Sequence, residues 1–242
     1  MNDFNQAYGV PGQEMSTAVN TGLRSFMLGV YNKMALGLAL TAILAFAVGS
    51  NDQLTYTLLT GPMGMVIMFA PLAILLLSSF VMRNPSPLAA NLVYWSVVAL
   101  IGVGMGGLVY VYGGRPDGMM LVAKAFFTTA AAFGALSLWG YTTKRDLSGL
   151  GVFLFMGLIG LIIAMVINMF VASSMFSFII SVLGVLIFAG LTAYDTQRLK
   201  EMYFQISGNA RAMSVATTYG ALSLYLNFIN MFQFILSLMS SD

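Results

Sequence analysis

The sequence predicts an all-α membrane protein with seven transmembrane helices. Of its 242 residues, 59% are hydrophobic and only 7% are charged, whereas about a quarter of the residues in a soluble domain are charged. The apolar residues fall into seven runs, and each run approaches or exceeds the roughly 20 residues that a helix needs to span a bilayer. The connections between the runs are short and rich in turn-forming residues. The chain therefore has no room for a second folded domain.

The seven runs are predicted to form one transmembrane domain over residues 31–242. In chain order they lie near Tyr31–Gly49, Gly61–Met82, Leu88–Tyr112, Gly118–Tyr141, Leu147–Val171, Phe176–Tyr194 and Ser214–Met239. Residues 1–30 are polar and lack the features of a cleavable signal, so we expect a loosely ordered cytoplasmic tail. The long charged connection after the sixth run predicts a short amphipathic surface helix around Arg198–Phe204.

Two runs carry small or polar residues at helical spacing. In the third run, Gly102 and Gly106 are four residues apart, which favours close packing against another helix. The last run carries a polar stripe with spacings of three and four residues, formed by Gly220, Ser223, Asn227, Asn230, Gln233 and Ser237. Amide groups need hydrogen-bond partners in hydrocarbon. This face is therefore expected to meet other helices or a water-filled cavity.

Lysine and arginine are distributed unevenly between the two sides of the predicted membrane. One side has eight of them, namely Arg24, Lys33, Arg83, Lys144, Arg145, Arg198, Lys200 and Arg211. The other side has two, Arg115 and Lys124. Because cytoplasmic loops carry the excess of basic residues, the N-terminus is predicted to be cytoplasmic. Seven crossings then place the C-terminus outside.

Cysteine and histidine are both absent. Their absence excludes disulfides, the usual ligands of zinc, copper, haem and iron–sulfur sites, and the Ser-His and Cys-His catalytic pairs. Tyr194-Asp195 resembles half of the signature of intramembrane aspartyl proteases, but the second motif, Gly-x-Gly-Asp, is missing. We therefore expect neither an enzyme nor a cofactor. The net charge of +2 indicates no partner class, and no nucleic-acid partner is expected.

Asp195 ends the sixth run, and two placements of its carboxylate remain open. It can pair with Arg198 in water, as an ordinary ion pair at the end of a helix. Alternatively, it points inward against Asn227 or Asn230, within reach of Arg83 at the inner end of the second run. Only the inward placement would create a functional site.

Two segments resemble the signature segments of the Bax inhibitor-one family, also called the transmembrane Bax inhibitor motif family. They are residues 194–199, YDTQRL, and residues 221–232, ALSLYLNFINMF, and bacterial members are the most similar. The resemblance implies a bundle in which the last helix is central and surrounded by the other six. It also implies a pH-sensitive calcium leak, controlled by two aspartates on the sixth and seventh helices that share a proton. An arginine at the end of the second helix interacts with them.

By this resemblance Asp195 is the first aspartate and Arg83 is the arginine, but the second aspartate is replaced by Asn227. Two close carboxylates raise the pKa of one of them toward neutrality, and an asparagine removes that repulsion. We therefore expect weak pH dependence and weak calcium retention. The predicted ion pathway and gate are Asp195, Asn227, Arg83 and Asn230, with Asp195 and Asn227 as metal ligands.

The first hypothesis is a calcium leak channel or exchanger of a bacterial inner membrane, with the lipid bilayer and calcium as its partners. The alternative is an interaction protein that regulates a membrane-anchored protease through the polar tail from Met1 to Leu23. A third hypothesis is transport of small solutes, using Asn168, Asn227, Asn230 and Gln233.

Overall fold

The computed structural model describes residues 11–82 and 84–240, with side chains from residue 20 onward within those ranges. This part of the chain forms helices. They are α1 (Pro11–Gly49), α2 (Asp52–Leu59), α3 (Gly61–Val81), α4 (Pro87–Gly113), α5 (Gly118–Thr142), α6 (Ser148–Val171), α7 (Ser174–Ile206) and α8 (Ala210–Met239).

Seven of these helices are long and apolar enough to cross a membrane, namely α1 from Asn20 onward and α3 to α8. The predicted fold class and number of spans are confirmed. The additional helix, α2, is too short to span and lies where turn-forming residues predicted a loop. It starts because the Asn51 side chain caps it, accepting a hydrogen bond from the backbone N–H of Leu54 at 3.0 Å.

The first helix starts well before the predicted position at Tyr31, because α1 begins at Pro11. Leu23, Phe26 and Val30 on its early turns are buried, at the spacing of one helical face. The predicted boundary between tail and transmembrane domain at residue 30 is therefore too late. Residues 1–10 of the predicted tail lie outside the described residues, and its cytoplasmic location stays a prediction.

The sixth span also extends beyond its predicted end. α7 runs unbroken to Ile206, so the separate surface helix predicted around Arg198–Phe204 is wrong. The physical reason is burial, since Leu199 and Tyr203 pack into the core. A short helix lying on the membrane surface would have left both of these side chains exposed.

Hydrogen bonds fix this extension of α7 to the loop between α5 and α6. The buried side chain of Gln197 accepts the backbone N–H of Leu147 and donates to the carbonyl of Arg145, both at 2.8 Å. The Lys200 ammonium donates to the carbonyl of Tyr141 at 2.8 Å. The inner half of α7 is thus held in register with its neighbours.

The last helix, α8, is the most buried span. Of the residues in the most apolar stretch of α8, 56% are buried inside the protein, against at most 33% in the corresponding stretch of any other span. The predicted central position is therefore observed. However, α8 packs against α1, α4, α5 and α7 only, and within the described ranges no Cα of α3 or α6 lies within 8 Å of a Cα of α8.

The prediction that all six other spans surround α8 is therefore wrong for α3 and α6. Helix α3 packs on α4, and α6 packs on α7. Only 17% of the residues in the most apolar stretch of each are buried. Lipid is as apolar as their side chains, so no hydrophobic force draws them toward the centre. Large exposed side chains such as Phe80 on α3 and Phe170 on α6 are suited to face lipid.

Glycines bring α1 and α4 into close contact. A Cβ atom added to Gly106 would lie 2.6 Å from Cγ1 of Val48, and one added to Gly102 would lie 3.1 Å from Cα of Thr41. On the opposite helix, a Cβ at Gly49 would lie 2.4 Å from the carbonyl oxygen of Gly106. The close packing predicted from the glycine pair at 102 and 106 is therefore confirmed.

Candidate functional site

Asp195 is the only buried carboxylate among the side chains that the structure describes, and it is 4% exposed. It lies on the face of α7 that also carries buried Leu191, Thr192, Thr196 and Leu199. The hydroxyls of the two threonines donate to backbone carbonyls one turn earlier in α7. They are therefore occupied within their own helix, and the carboxylate takes its partners from elsewhere.

Two side chains of α8 donate to the Asp195 carboxylate. The Ser223 hydroxyl donates to Oδ2 at 2.6 Å, and the amide Nδ2 of Asn227 donates to the same oxygen at 2.8 Å. The two donors are four residues apart and so share one helical face. Asn227 is 5% exposed, so this contact is closed to solvent. Hydrogen bonds to an ionised acceptor are among the stronger ones in proteins.

The second oxygen of the carboxylate is less well satisfied. Oδ1 of Asp195 lies 3.8 Å from a terminal guanidinium nitrogen of Arg198, one turn further along α7. Within the part of the chain that the structure describes, neither Oδ1 of Asp195 nor Nε of Arg198 has a hydrogen-bond partner, although both atoms are buried. The Arg198 side chain is 43% exposed and its guanidinium also lies over the Tyr194 ring, 5.9 Å from the centroid. The carboxylate thus has two strong partners on one oxygen and a weak ion pair on the other.

Of the two placements left open by the sequence, the structure has the inward one, because Asp195 is buried and accepts a hydrogen bond from Asn227. Arg198 lies 3.8 Å from Oδ1, but this is not the predicted ion pair in water at the end of a helix, because the carboxylate is buried and α7 continues to Ile206. Ser223 completes the contact and was missed as a site residue, although its spacing of four from Asn227 within the polar stripe was the available signal.

Asn230 does not join the site, because its amide donates to the carbonyl of Leu226 in its own helix at 2.7 Å. Gln233, the next residue of the stripe, is exposed. At the C-terminal end of the stripe the hydroxyls of Ser237 and Ser181 on α7 are 3.0 Å apart. The stripe therefore meets α7 at Ser223, Asn227 and Ser237, as predicted for a face that packs on other helices, but not at Asn230 and Gln233. An amide near the edge of a helix bundle can satisfy itself on the nearest backbone carbonyl.

Arg83, predicted as the gate arginine, lies outside the described residues, and its contact with Asp195 stays a prediction. Residues 1–10 of the polar tail that the protease hypothesis uses lie outside them as well, whereas the rest of that tail belongs to α1. Within the described ranges, Arg198 is the guanidinium that contacts the carboxylate.

The site is sparse in ligands for a metal ion. The described residues include no group of three or more carboxylate, histidine or cysteine side chains that could hold one. The Asn227 amide presents its N–H to Asp195, so its oxygen reaches a cation only after the amide rotates. Ca²⁺ takes about six to eight oxygen ligands. The described residues thus lack the ligand set of a tight calcium site.

A second polar cluster joins α1, α4 and α8 and was not predicted. The Lys33 ammonium donates to Oδ1 of Asn91 and, at 2.7 Å, to the Thr218 hydroxyl. The Tyr94 hydroxyl donates to the Lys33 carbonyl at 2.7 Å. In the sequence Lys33 was only one of the basic residues that set orientation. Nothing in its spacing indicated that it ties three helices together.

The chain is similar in sequence to a known protein family and to several bacterial proteins. A family model described as Bax1-I, inhibitor of apoptosis-promoting Bax1, matches residues 23–242. An uncharacterized protein of Caulobacter vibrioides is 51% identical, covering 98% of this chain and 97% of the relative. The inner membrane protein YbhL of Escherichia coli K12 is 36% identical over 93% and 95% of the two chains. An uncharacterized protein of Rickettsia prowazekii is 40% identical over 89% of each.

Proposed function

The chain belongs to the Bax1-I family, and from that premise we propose that it is a cation leak channel with calcium as its permeant ion. The relative YbhL of E. coli is named an inner membrane protein, which supports the same membrane for this integral membrane protein. The observation that supports the function most is the buried carboxylate of Asp195 at the interface of α7 and the central helix α8.

A carboxylate inside a membrane protein is costly and is seldom retained without a role. Among the described residues Asp195 is compensated in part only, because Oδ1 has no hydrogen-bond partner there. If its purpose were structural, a neutral polar residue would bind Ser223 and Asn227 at a lower desolvation cost. A negative charge in this position instead provides an attractive point for a cation along α8.

The present arrangement is the closed state of this pathway. Ser223 and Asn227 occupy Oδ2, and both Asp195 and Asn227 are almost fully buried. Opening requires α7 and α8 to separate at this contact. A cation then replaces the two donors on the carboxylate, and hydroxyl, amide and backbone oxygens supply its remaining ligands.

The pathway has weak pH dependence, because none of the described side chains places a second carboxylate against Asp195. A pair of close carboxylates would share a proton and lose it near neutral pH. Here the partner is the Asn227 amide, which does not ionise.

Flux of a panel of cations into liposomes that contain the purified full-length protein tests the function. We expect calcium entry above that of protein-free liposomes, and a several-fold loss of that entry in Asp195→Asn. Asp146→Asn is the matched control, since Asp146 is an exposed loop carboxylate that accepts only the local backbone N–H of Ser148. A protein without flux, or an Asp195→Asn variant that conducts like the control, would rule out the channel.

A further inference from the structure

Helices α1 and α5 both border the central helix but do not contact each other. Within the described ranges no Cα of α1 lies within 8 Å of a Cα of α5. Two cavities open between them. The outer one, of about 420 Å³, is lined by apolar side chains apart from Thr41. The inner one, of about 620 Å³, lies at the end that the distribution of basic residues predicts to be cytoplasmic.

The inner cavity is graded from polar to apolar. Asn20 and Arg24 on α1 line its end nearest the membrane surface, and Met27 lies deeper on the same helix. On α5, Tyr141 lies at the polar end and Phe133 lies deeper. About seven residues separate Arg24 from the deepest α1 contact, which corresponds to about 10 Å along the helix. This order matches an amphiphile with its headgroup at the surface and its chain pointing toward the bilayer centre.

Two polar groups of this cavity lack a partner. Arg24 is exposed and forms no ion pair or hydrogen bond with the residues that the structure describes. The buried Ser137 hydroxyl, in the cavity wall, also lacks a hydrogen-bond partner there. Among the described side chains that line the cavity, none is a carboxylate. A guanidinium with no counter-ion between membrane helices is complementary to a phosphate group.

The apolar part of the cavity has room because of a glycine. Gly134 lies in its wall, and a Cβ atom added there would have no other atom within 4 Å. An acyl chain can pass over this position, and a large side chain introduced here would fill the space without striking the protein.

We propose that the inner cavity between α1 and α5 binds one anionic phospholipid from the adjacent leaflet. Its phosphate pairs with Arg24, and one acyl chain lies in the groove over Gly134. A zwitterionic lipid offers the same phosphate, but its ammonium group repels the guanidinium and offsets part of the attraction, so the cavity favours the anionic lipid. This site is separate from the Asp195 contact and does not depend on the proposed channel function.

Native mass spectrometry of the full-length protein tests the site. The protein is purified from membranes of equal parts phosphatidylglycerol and phosphatidylcholine, and the lipids that remain bound are counted. We expect the unmodified protein to retain phosphatidylglycerol preferentially. Arg24→Gln should lower that preference by about fivefold, the value of one basic residue near an anionic headgroup. Gly134→Leu should reduce retention of both lipids.

Matched controls separate this site from general effects. Arg115→Gln removes a positive charge at the opposite side of the protein, and Gly160→Leu adds the same side chain at an exposed glycine of α6 that also has open space around it. Both should retain lipid like the unmodified protein. Equal retention of the two lipids by the unmodified protein would overturn the site. The site would also be overturned if Arg24→Gln and Gly134→Leu retained the two lipids as their control variants do.

Discussion

At its C-terminal end, helix α1 meets α4 through glycine backbone, whereas α7 meets α8 through a buried charge. At the first contact Gly49 and Gly106 bring main-chain atoms together. At the second, Asp195 accepts hydrogen bonds from Ser223 and Asn227. Backbone contact is close-packed, and any change of distance loses dispersion energy at once. A polar contact can exchange its partners for water or for an ion, so only the second of these two contacts is suited to open.

The largest effect is expected at the rigid interface, from Gly49→Ala. The new methyl group would lie 2.4 Å from the carbonyl oxygen of Gly106 and 2.9 Å from the backbone nitrogen of Tyr110. Because backbone cannot rotate away, we expect a loss of about 3 kcal/mol in the free energy of unfolding, measured by thermal unfolding in detergent. Gly160→Ala in α6 is the control and should melt no lower than the unmodified protein. Equal melting of the two variants would show that α1 and α4 are not closely packed.

At the polar interface, Asn227→Leu removes one of the two donors to Oδ2. Losing a hydrogen bond to a buried charge costs about 1.5–3 kcal/mol, and weaker closure of α7 on α8 should also raise resting calcium flux. Asn230→Leu, one turn along the same helix, is the control because its amide bonds only to its own backbone. The contact with Asp195 is unimportant if both variants show the same stability and the same flux.

A smaller effect is expected from Arg198→Gln. The guanidinium is 3.8 Å from Oδ1, and its side chain is 43% exposed, so water screens most of the attraction. We expect a loss of less than about 1 kcal/mol in the same unfolding measurement. If Arg198→Gln were instead as destabilising as Asn227→Leu, the ion pair rather than the amide would be the main support of the carboxylate.

Much of the fold could be predicted because the lipid-spanning runs are set by composition. The ends of α3 and α4 lie within a residue of the predicted positions. The start of α1 was missed, although Leu23, Phe26 and Val30 show helical spacing, because polar residues between them concealed it. The position of α3 and α6 away from α8 could not be predicted, since uniformly apolar helices carry no signal that selects a neighbour.

The sequence was sufficient to predict which two helices meet at the site. The polar stripe of α8 and the carboxylate at the end of the sixth apolar run indicated that Asp195 and Asn227 face each other. The direction of the Asn230 amide could not be predicted. The carbonyl of Leu226, one turn earlier in the same helix, is within its reach and competes with partners on other helices. The hydrogen bond between Lys33 and Thr218 also could not be predicted from the sequence, since it depends on the register of three packed helices.

The most direct test of the gate is calcium flux into liposomes at acidic and neutral pH, for the unmodified protein, Asn227→Asp and the control Asn230→Asp. In Asn227→Asp a second carboxylate replaces the amide that now lies 2.8 Å from Oδ2 of Asp195. Two carboxylates at such a short distance share one proton at acidic pH, and they repel each other once that proton is lost. We therefore expect flux that rises steeply with pH in Asn227→Asp and shallow dependence in the other two proteins. Steep pH dependence in the unmodified protein, or none in Asn227→Asp, would contradict a gate at this contact.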